Sequence, residues 1–309
     1  MLTAKEIILY VTISFSLFEI FNKYLSKFII DRPVFRSSHF KGTPTSAGLI
    51  FLLIHFIYIV LNKKYELLIL SPIAILGFFD DVFNIKQIYR LFFQSLNVFF
   101  ISFLLLNFDI FANLNLSNGF ISIIVFFIGL TLINFVNFMD GMDGLVASNM
   151  FLLFLNYSLN NNFDLISIPI VLFIFLFYNW SPAKFFMGDC GSTFLGIILF
   201  YMVFSSKDLN SSIVFILTAA PLLMDSLFCV SRRYLNKENI FSPHKKHLYQ
   251  RLNQNGMKHQ EVSLIYAACT FILIIFSHTN NLIIMSSLTI LVFLFGLYLE
   301  KNWAVPFKN

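Results

Sequence analysis

Asn134-Phe-Val-Asn137-Phe-Met-Asp140-Gly-Met-Asp143-Gly-Leu145 closes an apolar run that begins at Phe120. Two carboxylates three residues apart follow that run, each with a glycine behind it. On a helix Asn134, Asn137 and Asp140 share one face, because residues three apart are neighbours there. Acids at the end of a membrane span are costly and usually functional. The glycines let the backbone turn sharply and let a ligand approach closely. A helix cap with an Asp-Gly turn is the plainer account of the same residues.

Working outward, apolar runs recur along the whole chain. It has 309 residues, 58% hydrophobic and 12% charged, which is the composition of a membrane protein. Eleven runs stand out, at 7–22, 45–61, 67–79, 91–108, 120–139, 145–159, 165–180, 192–204, 213–230, 262–277 and 281–299. The expected fold is an all-α integral membrane protein, a polytopic bundle of about 10–11 transmembrane helices forming one domain over 1–309. Run 7–22 lacks a small-residue cleavage site and reads as an anchor. The 42 phenylalanines fill lipid-facing positions, and Cys190, Cys229 and Cys269 have neither metal-type spacing nor an obvious partner.

Lys and Arg set the orientation. Loops 23–44, 80–90, 140–144, 181–191, 231–261 and the C-terminal tail carry 17 of them, and the opposite set only 4. The first set is therefore expected in the cytoplasm. The net charge of +5 reports this loop bias and contact with anionic lipid rather than nucleic acid. Asp80, Asp81, Asp140, Asp143 and Asp189 all fall at the mouths of these basic loops, and six of the twelve glycines lie beside them.

Each cluster has a chemical and a plain account. The Asp80-Asp81 pair repels itself, so one carboxyl could take a proton or help bind a divalent cation; otherwise it is a solvated helix end. In Phe186-Met-Gly188-Asp189-x-Gly-Ser the opening helix offers free amides to a phosphate, and Asp189 could hold Mg²⁺ or merely cap. The loop Arg32 to Gly48 has the bases, hydroxyls and glycines that suit phosphate oxygens, although Arg32 and Arg36 read best as ordinary positive-inside residues. His244-Lys-Lys-His247 suits an anion better than a cation. Leu248 and Tyr249 would anchor His247 at the bilayer surface. Asp225, within a span, needs a partner, and Arg232 or Arg233 is the nearest in sequence.

Taken in order, these stretches resemble the polyprenyl-phosphate N-acetylhexosamine-1-phosphate transferase family (glycosyltransferase family 4), which includes the phospho-N-acetylmuramoyl-pentapeptide transferases. The resemblance covers roughly 32 to 251 and rests on Gly42-Thr-Pro-Thr45, Asp80-Asp81-x-x-Asn84, the Asn134 to Leu145 stretch, Phe186-Met-Gly-Asp189-x-Gly-Ser and the His244/His247 loop. It implies transfer of a sugar 1-phosphate from a UDP-N-acetylhexosamine to undecaprenyl phosphate with release of UMP. The setting implied is the cytoplasmic face of a bacterial inner membrane, with Mg²⁺ or Mn²⁺; a homodimer is compatible with it.

By position, Asp189 and Asp143 would hold the metal and Asp80 and Asp81 would activate the lipid phosphate. Phe186 would stack on uracil, with Asn179 and Asp140 on the nucleoside side and Asn137 among the substrate-binding residues. Lys41 and Thr45 would lie near the phosphate path, with His247 catalytic and His244 and Arg251 binding substrate. The pentapeptide branch has three consecutive histidines where this chain has His244-Lys-Lys-His247, so a pentapeptide substrate is disfavoured. Arg36-Ser-Ser-His39 and His247-Leu-Tyr-Gln-Arg251 look more like the branch that starts O-antigen or capsule chains, although Ser46-Ala47 departs from that branch's glycine loop. The runner-up is a UDP-GlcNAc enzyme of teichoic-acid or enterobacterial-antigen initiation. Direct attack by the lipid phosphate and a covalent aspartyl-phosphate route are both open. A secondary transporter would instead place its acids mid-span and show a repeat.

Overall fold

The computed structural model describes residues 4–27, 29–31, 42–104, 111, 117–161, 163–240 and 242–307. The described residues form thirteen α-helices, with only a two-residue strand pair beside them. Helix α1 (Ala4–Ile20) runs into a π turn, Phe21–Leu25. Strand β1 (Ile30–Asp31) pairs antiparallel with β2 (Thr43–Pro44). Then come α2 (Gly48–Asn62), a 3₁₀ turn (Tyr65–Leu70), α3 (Pro72–Phe83), α4 (Gln87–Leu104), α5 (Asn118–Met139), α6 (Leu145–Asn160) and α7 (Ser167–Asn179). Helices α8 (Gly188–Phe204), α9 (Leu209–Thr218), α10 (Ala220–Leu235), α11 (Leu248–Gln254), α12 (His259–Ser277) and α13 (Leu282–Trp303) complete the chain.

Three helices, α5, α12 and α13, are long and apolar enough to cross a membrane, and a fourth span results if the bent pair α9–α10 counts as one. This is an all-α, multi-pass membrane architecture. The eleven expected runs differ from it in particular places. Run 213–230 is not one helix: α9 and α10 meet at 76°. Pro221 sits in the first turn of α10, where its missing N–H costs nothing, but it could not have continued α9. Run 67–79 divides in the same way, into the 3₁₀ turn and α3, with Pro72 opening the latter. Asp80 and Asp81 therefore ride on the last turn of α3 rather than in a loop. The expected polar loop 231–261 contains the short helix α11.

Helix α8 is the centre. It is apolar on every side and fourteen of its seventeen residues are buried, whereas only Met285, Thr289 and Leu299 of α13 are. A helix hydrophobic all round belongs inside, which explains how 17 residues suffice for it. Lipid tails are as apolar as leucine, so helices associate here by close packing. Gly77 of α3 shows this: a Cβ there would stand 2.4 Å from the Asp189 carbonyl oxygen of α8. That contact sets Asp80 and Asp81 beside Asp189.

The loops sort into two ends of the bundle. At one end, Glu6, Lys64, Asn161, Asp164, Ser205 and Lys207 line a single polar cavity, with Lys64 and Asp164 paired at 2.6 Å. Those are the segments that the basic-residue tally grouped together as poor in Lys and Arg. The acids, the His244/His247 loop and α11 gather at the other end.

Candidate active site

The first turn of α8 is held in a ring of side chains. Asp81 accepts the Asp189 N–H at 2.8 Å and the Cys190 N–H at 3.3 Å, while its Oδ2 also accepts the Ser46 hydroxyl at 2.7 Å. The carboxylate thus caps α8 from another helix, where the helix dipole favours negative charge. The amides expected to be free for a phosphate are taken by Asp81, so Asp189 has no capping duty of its own. Gly188 makes this possible, since it adopts φ +71° and a Cβ there would meet Asp81 Oδ2 at 2.3 Å.

Asp189 is left pointing at its neighbours' side chains. Its Oδ1 accepts from the Asn137 amide at 3.0 Å, and its Oδ2 accepts from Arg90 at 2.7 Å. The same Arg90 nitrogen pairs with Asp80, whose other oxygen accepts the Ile85 N–H at 2.6 Å. One guanidinium thus joins two carboxylates from α3 and α8. Asp140, the C-cap of α5, faces the same negative patch. Burial, then the charges of Asp189, Asp81 and Asp31, hold its carboxyl well above the ordinary carboxylate range.

Asp143 faces elsewhere. Its Oδ2 lies 3.2 Å from His259 Nδ1 and accepts the Ala183 N–H at 3.2 Å, and these partners outweigh the effect of burial and keep its carboxyl low. Asp80, Asp81 and Asp140 lie within the field of Asp189, and the partner that the structure gives Asp143 is His259. Asn179 is buried; its Oδ1 accepts the Gly144 N–H at 3.0 Å and its Nδ2 donates to the Phe185 carbonyl at 3.2 Å, tying two loops together. Of the neighbouring phenylalanines, Phe185 is buried among Phe18, Phe21, Phe175 and Tyr178, and Phe186 is half-buried. The Phe186 backbone is bonded to Pro44 and Ala47, which sets it beside buried Thr45. Lys41, like Arg32, Arg36 and His39, lies outside the described residues.

The third cluster is built on Asp225. The expected partners Arg232 and Arg233 point away, to Glu300 and Glu238 respectively. Asp225 instead accepts the Leu248 and Tyr249 N–H groups at 2.8 and 3.1 Å and the Tyr266 hydroxyl at 2.7 Å. His247 Nδ1 stands 3.4 Å from Asp225, an ion-pair distance rather than a hydrogen bond. Burial alone lowers the His247 pKa, but Asp225 and Cys229 outweigh it and raise it to about 9. His244 is stacked beside it at 5.1 Å and is pushed down to about 3 by burial and by the charge on His247.

Tyr249 does not anchor His247 at a bilayer surface: it is 1% exposed and donates to the Phe138 carbonyl at the end of α5. His247 is thereby brought to 6.2 Å from the Phe138 ring, one residue from Asn137. Arg251, expected on substrate, is buried and bonded to Glu300, Val305 and Lys246.

The end of α5 therefore joins the clusters: Asn137 meets Asp189, Phe138 faces His247, and Asp140 faces the carboxylates. Arg90 and His259 are the residues that sequence reasoning missed, while Ser46 and Tyr249 were named there without the contacts they make. For Arg90 the only available signal was a base ten residues after Asp80, nearly three helical turns away.

Residues 64–207 match the family described as Glycosyl transferase family 4. A probable undecaprenyl-phosphate N-acetylglucosaminyl 1-phosphate transferase of Bacillus subtilis (strain 168) is 33% identical over 192 residues, 57% of this chain and 51% of that protein. An undecaprenyl-phosphate alpha-N-acetylglucosaminyl 1-phosphate transferase of Thermotoga maritima is 29% identical over 244 residues, 77% of each chain. A phospho-N-acetylmuramoyl-pentapeptide-transferase of Petrotoga mobilis is 32% identical over 190 residues, 52% of this chain and 59% of that protein. The chain thus spans about half the length of the Bacillus relative. The matched segment, a little under half of the chain, contains Asp80, Asp81, Arg90, Asn137, Asp140, Asp143 and Asp189, and through it the chain is similar to glycosyl transferase family 4.

Proposed function

We propose that this protein transfers an N-acetylhexosamine 1-phosphate from a UDP-sugar to undecaprenyl phosphate, releasing UMP and starting a cell-surface polysaccharide of the O-antigen or capsule type. The observation that carries this reading is the carboxylate ring around Arg90 at the head of α8, on the end of the bundle where the Lys- and Arg-rich loops gather. The names of the Bacillus and Thermotoga relatives favour UDP-GlcNAc as the donor. By the positive-inside rule the site faces the cytoplasm of a bacterial inner membrane, where a UDP-sugar is found.

The donor set fits a hard divalent cation. Asp80 and Asp189 offer carboxylate oxygens to one point, which Arg90 occupies, and oxygen ligands suit Mg²⁺ or Mn²⁺. Asp189 with Asp80 would hold the ion, which would neutralise charge on the pyrophosphate and on the departing UMP. Asp143 is tied to His259 and would orient the loop 140–144. Asn137 fixes the Asp189 carboxylate. Asp81 keeps α8 in register, and Asp80 stands where a lipid phosphate entering beside α3 and α4 would meet it. Phe186 offers a half-buried ring for the uracil. The His247 imidazolium, held by Asp225, supplies positive charge for the phosphates, where preorganised charge counts most.

The test is direct. Purified protein is given undecaprenyl phosphate, Mg²⁺ and a panel of UDP-sugars, and UMP release is measured. UDP-GlcNAc should release UMP only when the lipid phosphate is present. Silence with every UDP-N-acetylhexosamine would sink the reading.

A further inference from the structure

We propose that Cys229, His244 and His247 form a binding site for a soft divalent cation of the Zn²⁺ class, separate from the carboxylate ring around Asp189. One ligand atom from each of the three residues lies within 4.8 Å of the other two. In sequence they are far less suggestive, because Cys229 belongs to α10 and the histidines to the segment before α11. The turn after α10 brings the thiol within reach of the two rings.

The chemistry of the three donors selects the ion. A thiolate and two imidazoles suit Zn²⁺ and leave a fourth position open, whereas Mg²⁺ takes oxygen. The second layer is also in place. His247 turns Nδ1 toward Asp225 at 3.4 Å, which leaves Nε2 for a ligand, and metal-bound histidines commonly carry such a carboxylate behind them. His244 Nδ1 accepts the Lys246 N–H at 3.3 Å, which likewise leaves Nε2.

The sequence objection was that neighbouring lysines would repel a cation. In the fold Glu238 pairs with Lys246 at 2.7 Å and with Arg233 at 3.2 Å. That one carboxylate offsets part of the two positive charges, and Asp225, 3.4 Å from His247, adds a second acid beside the site. Cys229 and His247 are 3% and 2% exposed, while His244 is half-buried and gives the ion a way in. Ligands around Zn²⁺ stand roughly 3.5 Å apart, given bonds of about 2.0–2.3 Å. The three ligand atoms therefore draw together as the ion binds, and the Cys229 thiol and the His247 imidazolium each lose a proton to solvent, so a bound ion and the positive charge that His247 offers the phosphates exclude one another.

The test uses the full chain in detergent, titrated with Co²⁺ as a spectroscopic stand-in for Zn²⁺. A thiolate-to-cobalt charge-transfer band in the near ultraviolet is expected, and Zn²⁺ should bleach it. Cys229→Ser should abolish the band, while Cys269→Ser and Asp189→Asn should keep it. His244→Ala, at a half-buried position, should weaken Co²⁺ binding at least about 10-fold in a chain whose thermal unfolding matches that of the wild type. A folded wild-type chain with no band, a band that survives Cys229→Ser, or unchanged Co²⁺ affinity in His244→Ala overturns the proposal. None of these readouts depends on transferase activity, so the site stands or falls apart from the reading above.

Discussion

At Asp189 one carboxylate is held from two sides, by the Asn137 amide and by Arg90, while its own N–H is held by Asp81. Asp189→Asn keeps the shape and removes the charge. Turnover should fall by at least about 10²-fold, the usual scale for losing one preorganised electrostatic group. UMP release by a folded variant checks this, and near-normal turnover would take Asp189 out of the site. His247 offers a second test, through pH. Its pKa of about 9 lies above the ordinary imidazole value, so its positive charge is present below that pH and lost as pH rises through it. With Mg²⁺ as the only divalent cation, kcat/KM should hold to about pH 9 and then decline. Asp225→Asn keeps one oxygen to accept either the Leu248 or the Tyr249 N–H and removes the anion. The alkaline limb should then move to lower pH, since Asp225 is foremost among the groups that hold the ring above its ordinary value against burial. An unmoved limb would mean that another group titrates there. The residue types of this site were legible in the sequence because acids beside glycines at span ends have few plain uses. Their partners were not, because Arg90 meets Asp189 across 99 positions and Asp225 meets His247 through a turn that no periodicity marks.

At the scale of elements, α8 is both the core of the bundle and the platform of the site. Its neighbours approach it through glycine. A side chain at Gly77 would drive α3 off the Asp189 backbone, whereas a Cβ at Gly119, near the start of α5, would meet nothing within 4 Å. Gly77→Leu should therefore lower stability by about 1–3 kcal/mol or more, the cost of overpacking. Gly119→Leu should leave it near the wild-type value. Thermal unfolding in detergent distinguishes the two, and equal midpoints would show that α3 and α8 are not packed this closely. The helices themselves were largely readable as apolar runs, and α5 begins and ends within two residues of its run. The misses have one cause. Length and hydropathy find apolar segments but not their breaks, so Pro221 and Pro72 went uncounted although each forces a helix to start anew. Helix α11 was hidden for the opposite reason: its seven residues are too few and too polar to show a period.

The whole molecule has two ends that differ in charge, and this asymmetry ties the fold to the proposed chemistry. Sequence sorted the loops by their Lys and Arg content, with no knowledge of which loops touch. The fold brings together Glu6, Lys64, Asp164 and Lys207 from four segments of the basic-poor set around one cavity. It gathers Asp80, Asp140, Asp189 and His247 at the opposite end. By the positive-inside rule the Lys- and Arg-rich end is the one expected in the cytoplasm. Single cysteines test this in intact cells with a membrane-impermeant thiol reagent. Cys190 and Cys229 are buried and only Cys269 is partly accessible, so a Cys269→Ser background is quiet. In that background Lys207→Cys should label at once. Lys237→Cys, equally exposed but on the turn after α10, should label only after the cells are permeabilised. The reverse pattern would put the carboxylate ring where no UDP-sugar is found. The transferase reading would then fail even though every distance at the site stayed the same, because the reaction depends on which side of the membrane the site faces as much as on its geometry.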